Sequence, residues 1–294
     1  MKLGISRSQL GIFLALGSAV CFALANTFAR LAYDGGTTPF TLTVSRFYLP
    51  AIVLIAILVI TRQSCILDKR SAFGSVFLGV VTVIYTLALL TAIERLPVPI
   101  AILIFYLFPI LTAFILGAVG WSRISKIEVI GALVAFVGLA LALGIEFDEL
   151  DGMGMILAAA AAIGLATVSA ISNQIMGGQD PRRATLYMCS TGIVIMTALA
   201  LIRSEFTLPE TPSGWTGFAL TNVLYAIAMI SFFYAISYAG AGATTFFSNL
   251  EPLVVTGAAF VFLDQSLAPL QLAGVAIVVS ALIYVGKSKS GVGH

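Results

Sequence analysis

Residues 247–257 read FSNLEPLVVTG and residues 105–114 read FYLFPILTAF. Each stretch puts a proline inside an apolar run, and the two prolines, Pro109 and Pro252, stand 143 residues apart. The same offset pairs Leu107 with Leu250, Ala92 with Ala235 and Gly131 with Gly274. Near the start it pairs Gly11, Leu14, Ala15, Ala19 and Ala23 with Gly154, Leu157, Ala158, Ala162 and Ala166, without a gap. Self-similarity at a fixed long period marks a duplicated structural unit. The prolines and glycines carry this reading, because alanine matches are cheap in an alanine-rich chain.

Around these stretches the composition leaves one solvent. The 294 residues are 60% hydrophobic and 10% charged, with a mean hydropathy of +1.08. A soluble domain of this size cannot hide so much apolar surface. A helix rises 1.5 Å per residue, so about 20 apolar residues cross a hydrocarbon core of about 30 Å. Ten such segments are expected, at 10–29, 40–60, 73–92, 100–119, 127–145, 153–172, 184–202, 215–236, 243–263 and 267–285. Their short connections leave no room for a soluble domain. The expected fold class is therefore all-α integral membrane: ten transmembrane helices in two five-helix units, 1–146 and 147–294.

Five spans is an odd number, so tandem copies must lie in opposite orientations, related by a pseudo-twofold axis in the membrane plane. The charges agree. With a cytoplasmic N-terminus, the inner segments hold eleven basic residues, from Lys2 and Arg7 through Arg123 and Lys126 to Lys289, against Arg30, Arg95 and Arg203 outside. The connection 146–151 is acidic and expected outside. GWSRISK after the fourth span is basic, whereas its mate LDQSLAP after the ninth carries Asp264. Both termini are expected in the cytoplasm. Ala23-Leu24-Ala25 imitates a signal cleavage site, but the first span has a counterpart in the sixth and is read as retained.

Several function classes fall away. The three cysteines, Cys21, Cys65 and Cys189, show neither disulfide nor metal spacing and read as small fillers. A net charge of +2 and a single histidine, His294, give no nucleic-acid footprint and no metal site. No cofactor is expected. There is no G-x-x-x-x-G-K-[ST] loop, so a driving force would come from gradients rather than ATP. No nucleophile and base or metal cluster recommends an enzyme, and a channel would need polar lining along several helices.

The prolines place the chemistry. Proline cannot donate to the carbonyl four residues back, so Pro252 is expected to free that of Ser248, and Pro109 that of Phe105. Two symmetric kinks result, and these are the candidate hinges. Ser248, Asn249 and Glu251 gather at the second. A carboxylate at that depth is protonated or partnered. It either holds a proton or a substrate amine, or stabilises the kink through the opened backbone. Arg46, in TVSRFYLP, either meets a carboxylate or snorkels to the outer interface. Tyr85, Tyr106 and Tyr225 are the best candidates for a cavity wall, since a mid-membrane hydroxyl needs a partner. Asn26, Thr27, Phe105, Phe246, Phe247 and the stripe Asn222, Tyr225, Met229, Phe233 are further candidates. Rings with a few polar groups suit a planar, partly polar ligand.

The ten-span layout, the paired prolines of spans four and nine, and the closing stretch FSNLEPLVVTGAAFVFLDQSLAPLQLAGVAIVVSALIYVG resemble the drug/metabolite transporter superfamily, in its EamA-type branch. Within it the chain is similar to the bacterial aromatic amino acid exporters. The first copy departs from the E-P pattern, with Phe108 and Trp121 where the second has Glu251 and Asp264. The resemblance implies a central cavity between the halves, with Tyr85, Tyr106, Tyr225 and Glu251 near the substrate. It implies export of aromatic and other neutral amino acids or related metabolites by alternating access, from a monomer spanning the bacterial inner membrane many times. Efflux of amphipathic cations or drugs is the alternative, and competition by amino acids separates the two.

Overall fold

A computed structural model describes residues 6–121, 126–144, 151–176, 179–263 and 268–290. Arg123, most of the acidic connection and Asp264, on which part of the charge argument rests, lie outside them. The described residues form thirteen helical segments. In chain order these are α1 (Arg7–Asp34), α2 (Pro39–Ser45), α3 (Tyr48–Ile60), α4 (Lys69–Arg95), α5 (Val98–Phe105), α6 (Phe108–Ala118), α7 (Lys126–Ala142), α8 (Gly152–Met176), α9 (Pro181–Arg203), α10 (Pro212–Ala239), α11 (Ala241–Phe247), α12 (Leu250–Leu263) and α13 (Pro269–Ser290).

With α2–α3 and α5–α6 each taken as one, seven helices among the described residues are long and apolar enough to cross a membrane. Three of the ten expected spans fall short of that measure. α7 has only 17 residues, roughly 26 Å of helix against a core of about 30 Å. In α13 the apolar part is Pro269–Val285, and the ninth segment is divided into α11 and α12.

Local sequence sets the ends. Ser6 and Gln9 form a reciprocal capping box at α1, the Gln9 amide donating to Ser6 Oγ at 3.2 Å and the Ser6 amide to Gln9 Oε1 at 2.9 Å. Thr38, Asp68, Asp180 and Thr211 cap α2, α4, α9 and α10 through their side-chain oxygens. Within the helices, hydroxyls such as Thr82 and Thr112 donate to the carbonyl four residues back at 2.8 Å, which keeps them satisfied away from water.

Three segments break where a proline follows, and one was not expected. The breaks fall at Arg46-Phe47, Tyr106-Leu107 and Ser248-Asn249, so that Pro50, Pro109 and Pro252 lie in the first turn of the next helix, where the missing N–H is no loss. Sequence reading anticipated the second and third but passed over Pro50. The turns are tight rather than unwound: Arg46, Leu107 and Ser248 keep right-handed helical dihedrals. The expected free carbonyl of Ser248 is also retaken, because the Glu251 amide donates to it at 3.0 Å.

Packing repeats at the sequence offset. A Cβ on Gly11 would lie 2.7 Å from that of Ala239, and one on Gly154 would lie 2.7 Å from Leu96 Cγ. Displaced by 143 residues, the first contact becomes the second. Gly131 against Val285 and Gly274 against Ala142 are another such pair, and Gly74 against Ile175 with Gly217 against Ala32 a third. α1 therefore packs antiparallel on α10 as α8 does on α4, and α7 packs antiparallel on its own mate, α13. The main helix pairs cross between the copies. Small residues let these backbones close up, the usual source of helix association in lipid, where there is no water to expel.

Candidate functional site

Glu251 stands in the first turn of α12, just past the break that Pro252 imposes. Its Oε1 accepts a hydrogen bond from Asn26 Nδ2 of α1 at 3.0 Å. The Oδ1 of the same amide accepts from Arg46 Nη2 at 3.3 Å. Arg46 closes α2 at the unanticipated break, and its guanidinium carbon lies 5.2 Å from the centre of the Tyr225 ring of α10, within cation–π range. The amide orientation follows from Arg46, since a guanidinium only donates, which leaves the amide nitrogen to donate to Glu251. One neutral amide thus bridges the two embedded ionisable side chains.

Rings flank this bridge on two sides. Phe22 meets Tyr225 edge-on at 5.3 Å. From the other side Tyr85 stacks on Phe105 at 6.5 Å, while Tyr106 packs against Phe105 and Phe108 at 5.9 and 5.5 Å. The Tyr106 hydroxyl faces the Glu251 carboxylate. Asn26 is exposed, and Arg46, Tyr85, Tyr225 and Glu251 are half-buried. A charge at mid-membrane costs about 3 kcal/mol on insertion scales, and here Asn26 gives both ionisable side chains a hydrogen-bond partner.

The structure brings together Asn26, Tyr85, Tyr106, Tyr225 and Glu251 of the sequence candidates. It turns Asn249 and Phe247 elsewhere. Asn249 is 2% exposed and its Nδ2 donates to the Phe246 carbonyl at 2.7 Å, closing the last turn of α11. Phe247 is buried in the apolar cluster with Tyr106, Phe246 and Leu253. In the α10 stripe, Asn222 accepts from Ser45 at 3.0 Å and donates to the Phe218 carbonyl, while Met229 and Phe233 belong to the core. Sequence reading missed Phe22 and left the role of Arg46 open. The signal was present: Pro50 follows Arg46 at the spacing by which Pro252 follows Ser248.

A family model described as EamA-like transporter family matches residues 9–144 and again residues 152–286. The chain belongs to the EamA-like transporter family. This makes it a multi-pass membrane protein of a family of small-solute transporters, not enzymes, with the family unit present twice. A solved structure described as "Crystal structure of protein" superposes with a TM-score of 0.79 over 98% of this chain and 99% of its own at 18% identity, which carries the fold alone. No curated protein matches at a significant level.

Proposed function

We propose that this EamA-like chain is a secondary transporter that exports aromatic and other neutral amino acids, or related small metabolites, across the bacterial inner membrane by alternating access. The observation that carries the reading is the Glu251–Asn26–Arg46 bridge set between the rings of Tyr225 and Tyr106. Substrate rings stack on Tyr85, Tyr106 and Tyr225, and the substrate ammonium goes to Glu251. All ten helical runs cross the bilayer in this reading, as two inverted five-helix repeats, 1–146 and 147–294, with both termini cytoplasmic and one monomer forming the carrier. The antiparallel packing of α7 on α13 and the matched glycine contacts support the inversion.

The breaks before Pro109 and Pro252 serve as hinges, because each joins two short helices through a turn that lacks a full ladder of hydrogen bonds. Movement of one repeat against the other then exposes the bridge to each side of the membrane in turn. The test is counterflow: proteoliposomes preloaded with tryptophan, phenylalanine, leucine or lysine take up the labelled form of each. Saturable exchange favouring the two aromatic amino acids is expected. Exchange blocked by amphipathic cations but by no amino acid would replace this reading with drug efflux.

A further inference from the structure

We infer that the side-chain amide of Asn26 occupies the place of a substrate's zwitterionic head group, so that Arg46 binds the α-carboxylate and Glu251 the α-ammonium of the same molecule. This rests on the amino acid reading above and deepens it. An amide offers an oxygen acceptor and a nitrogen donor a few bonds apart, and here the oxygen faces Arg46 and the nitrogen faces Glu251. An α-amino acid presents the same two functions at similar spacing, each with a full charge, and charge-assisted hydrogen bonds are the stronger ones.

Arg46 has donors in reserve. A guanidinium carries five N–H groups, yet its bond to Asn26 is long at 3.3 Å, and Nε is buried with no partner among the described residues. A carboxylate held by two parallel N–H groups would satisfy it, the geometry for which arginine is suited above lysine. Tyr225 lies against the guanidinium, with its ring centre 5.2 Å from the guanidinium carbon.

The duplicated fold shows that the helix framework does not by itself call for these charges. At the offset of 143, Asn26, Arg46, Tyr225 and Glu251 correspond to Ser169, Cys189, Thr82 and Phe108. All four counterparts are buried and none is charged. The register holds in this region, since Gly79 against the Met188 carbonyl is matched by Asn222 against Ser45. Phe108 follows a helix break as Glu251 does, so the break needs no carboxylate. Each pole is present in only one of the two copies, Arg46 in the first and Glu251 in the second, and both point at one amide.

The test is a competition panel on the reconstituted full chain exchanging L-phenylalanine, with phenethylamine, 3-phenylpropionate and L-phenylalaninamide as competitors. In the wild type each is expected to compete at least tenfold less well than phenylalanine itself. Arg46→Gln should let phenylalaninamide compete as well as phenylalanine, and Glu251→Gln should do the same for 3-phenylpropionate. Asn26→Ala should raise the apparent affinity for phenylalanine severalfold, because the internal competitor is gone. Wild-type exchange blocked equally by phenylalanine and by any of the analogues lacking one charge would overturn this inference while leaving amino acid transport intact. A fall in affinity in Asn26→Ala would also overturn it, making the amide a ligand. No saturable exchange with any amino acid would overturn the underlying reading and this one with it. The wild-type panel decides even if a variant fails to fold.

Discussion

Two helix breaks, Tyr106-Leu107 and Ser248-Asn249, share a backbone and differ in chemistry. Each follows a helix of seven or eight residues and precedes a proline in the next first turn. After the first stands Phe108, 2% exposed among the rings of Phe105 and Tyr106. After the second stands Glu251, tied through Asn26 to Arg46. The fold supplies two equivalent positions and only one received a charge. The helix architecture therefore belongs to the duplication, whereas the binding chemistry is asymmetric, with Asn26 and Arg46 from the first copy meeting Glu251 and Tyr225 from the second.

The strongest way to break this comparison is to copy one position onto the other. Glu251→Phe should fold, with a melting temperature in detergent close to the wild type, and lose transport by about 100-fold, in keeping with the removal of one partner from a buried charge pair. Near-normal exchange would show that the carboxylate serves only the break. Packing should behave in the opposite way, alike in both copies. Gly131→Val and Gly274→Val meet the same crossing of α7 and α13, where an added Cβ would lie 2.5 Å from Val285 and 2.4 Å from Ala142. Each should destabilise by about 2 kcal/mol, the cost of overpacking. Thermal denaturation giving a large loss in one and none in the other would break the symmetry.

The caps of the second spans differ more gently. α2 starts under the neutral Thr38 and α9 under Asp180. Burial pushes the Asp180 carboxyl up, but hydrogen bonds from the Arg182 side chain and backbone, with the charges of Arg182 and Arg183, hold it below its ordinary value. A carboxyl with a lowered folded pKa contributes stability that is present above its unfolded value near 4 and lost as pH falls through the folded one. Asp180→Ala should cost about 1 kcal/mol at neutral pH, and the gap to wild type should narrow below about pH 4 in melting curves. Thr38→Ala should cost about as much with no such pH dependence. The smallest effect is expected at Pro50, whose counterpart Ile193 lies within the unbroken α9. Pro50→Ala restores a backbone donor and should slow exchange about threefold by shifting Arg46, with no change in folding.

Much of this was legible in the chain, for physical reasons. Hydropathy over about 20 residues reports helices that must satisfy their own backbone, and the offset of 143 reported the repeat at which the glycine contacts recur, though not which helices pair. Glu251, Tyr106 and Tyr225 stood out as polar groups at apolar depth. What escaped depended on angles about a helix axis. Positions 247 and 251 would share a face of a continuous helix, but the turn at Ser248-Asn249 resets the rotation. Phe247 goes to the core and Glu251 to Asn26. The α2–α3 break escaped because Pro50 lies near aromatic residues that read as an interfacial belt, and with it went the reach of Arg46 toward the site.

The crossing of helix pairs between the copies also governs how the chain is made. When the first five helical runs have left the ribosome, α1 and α4 carry glycine faces shaped for α10 and α8, which do not yet exist. Helices inserted early must wait in the lipid, individually stable but without their principal partners, until the second copy emerges. The early half then holds its place as a set of separate membrane helices, and assembly of the bundle is an event of the chain's second half.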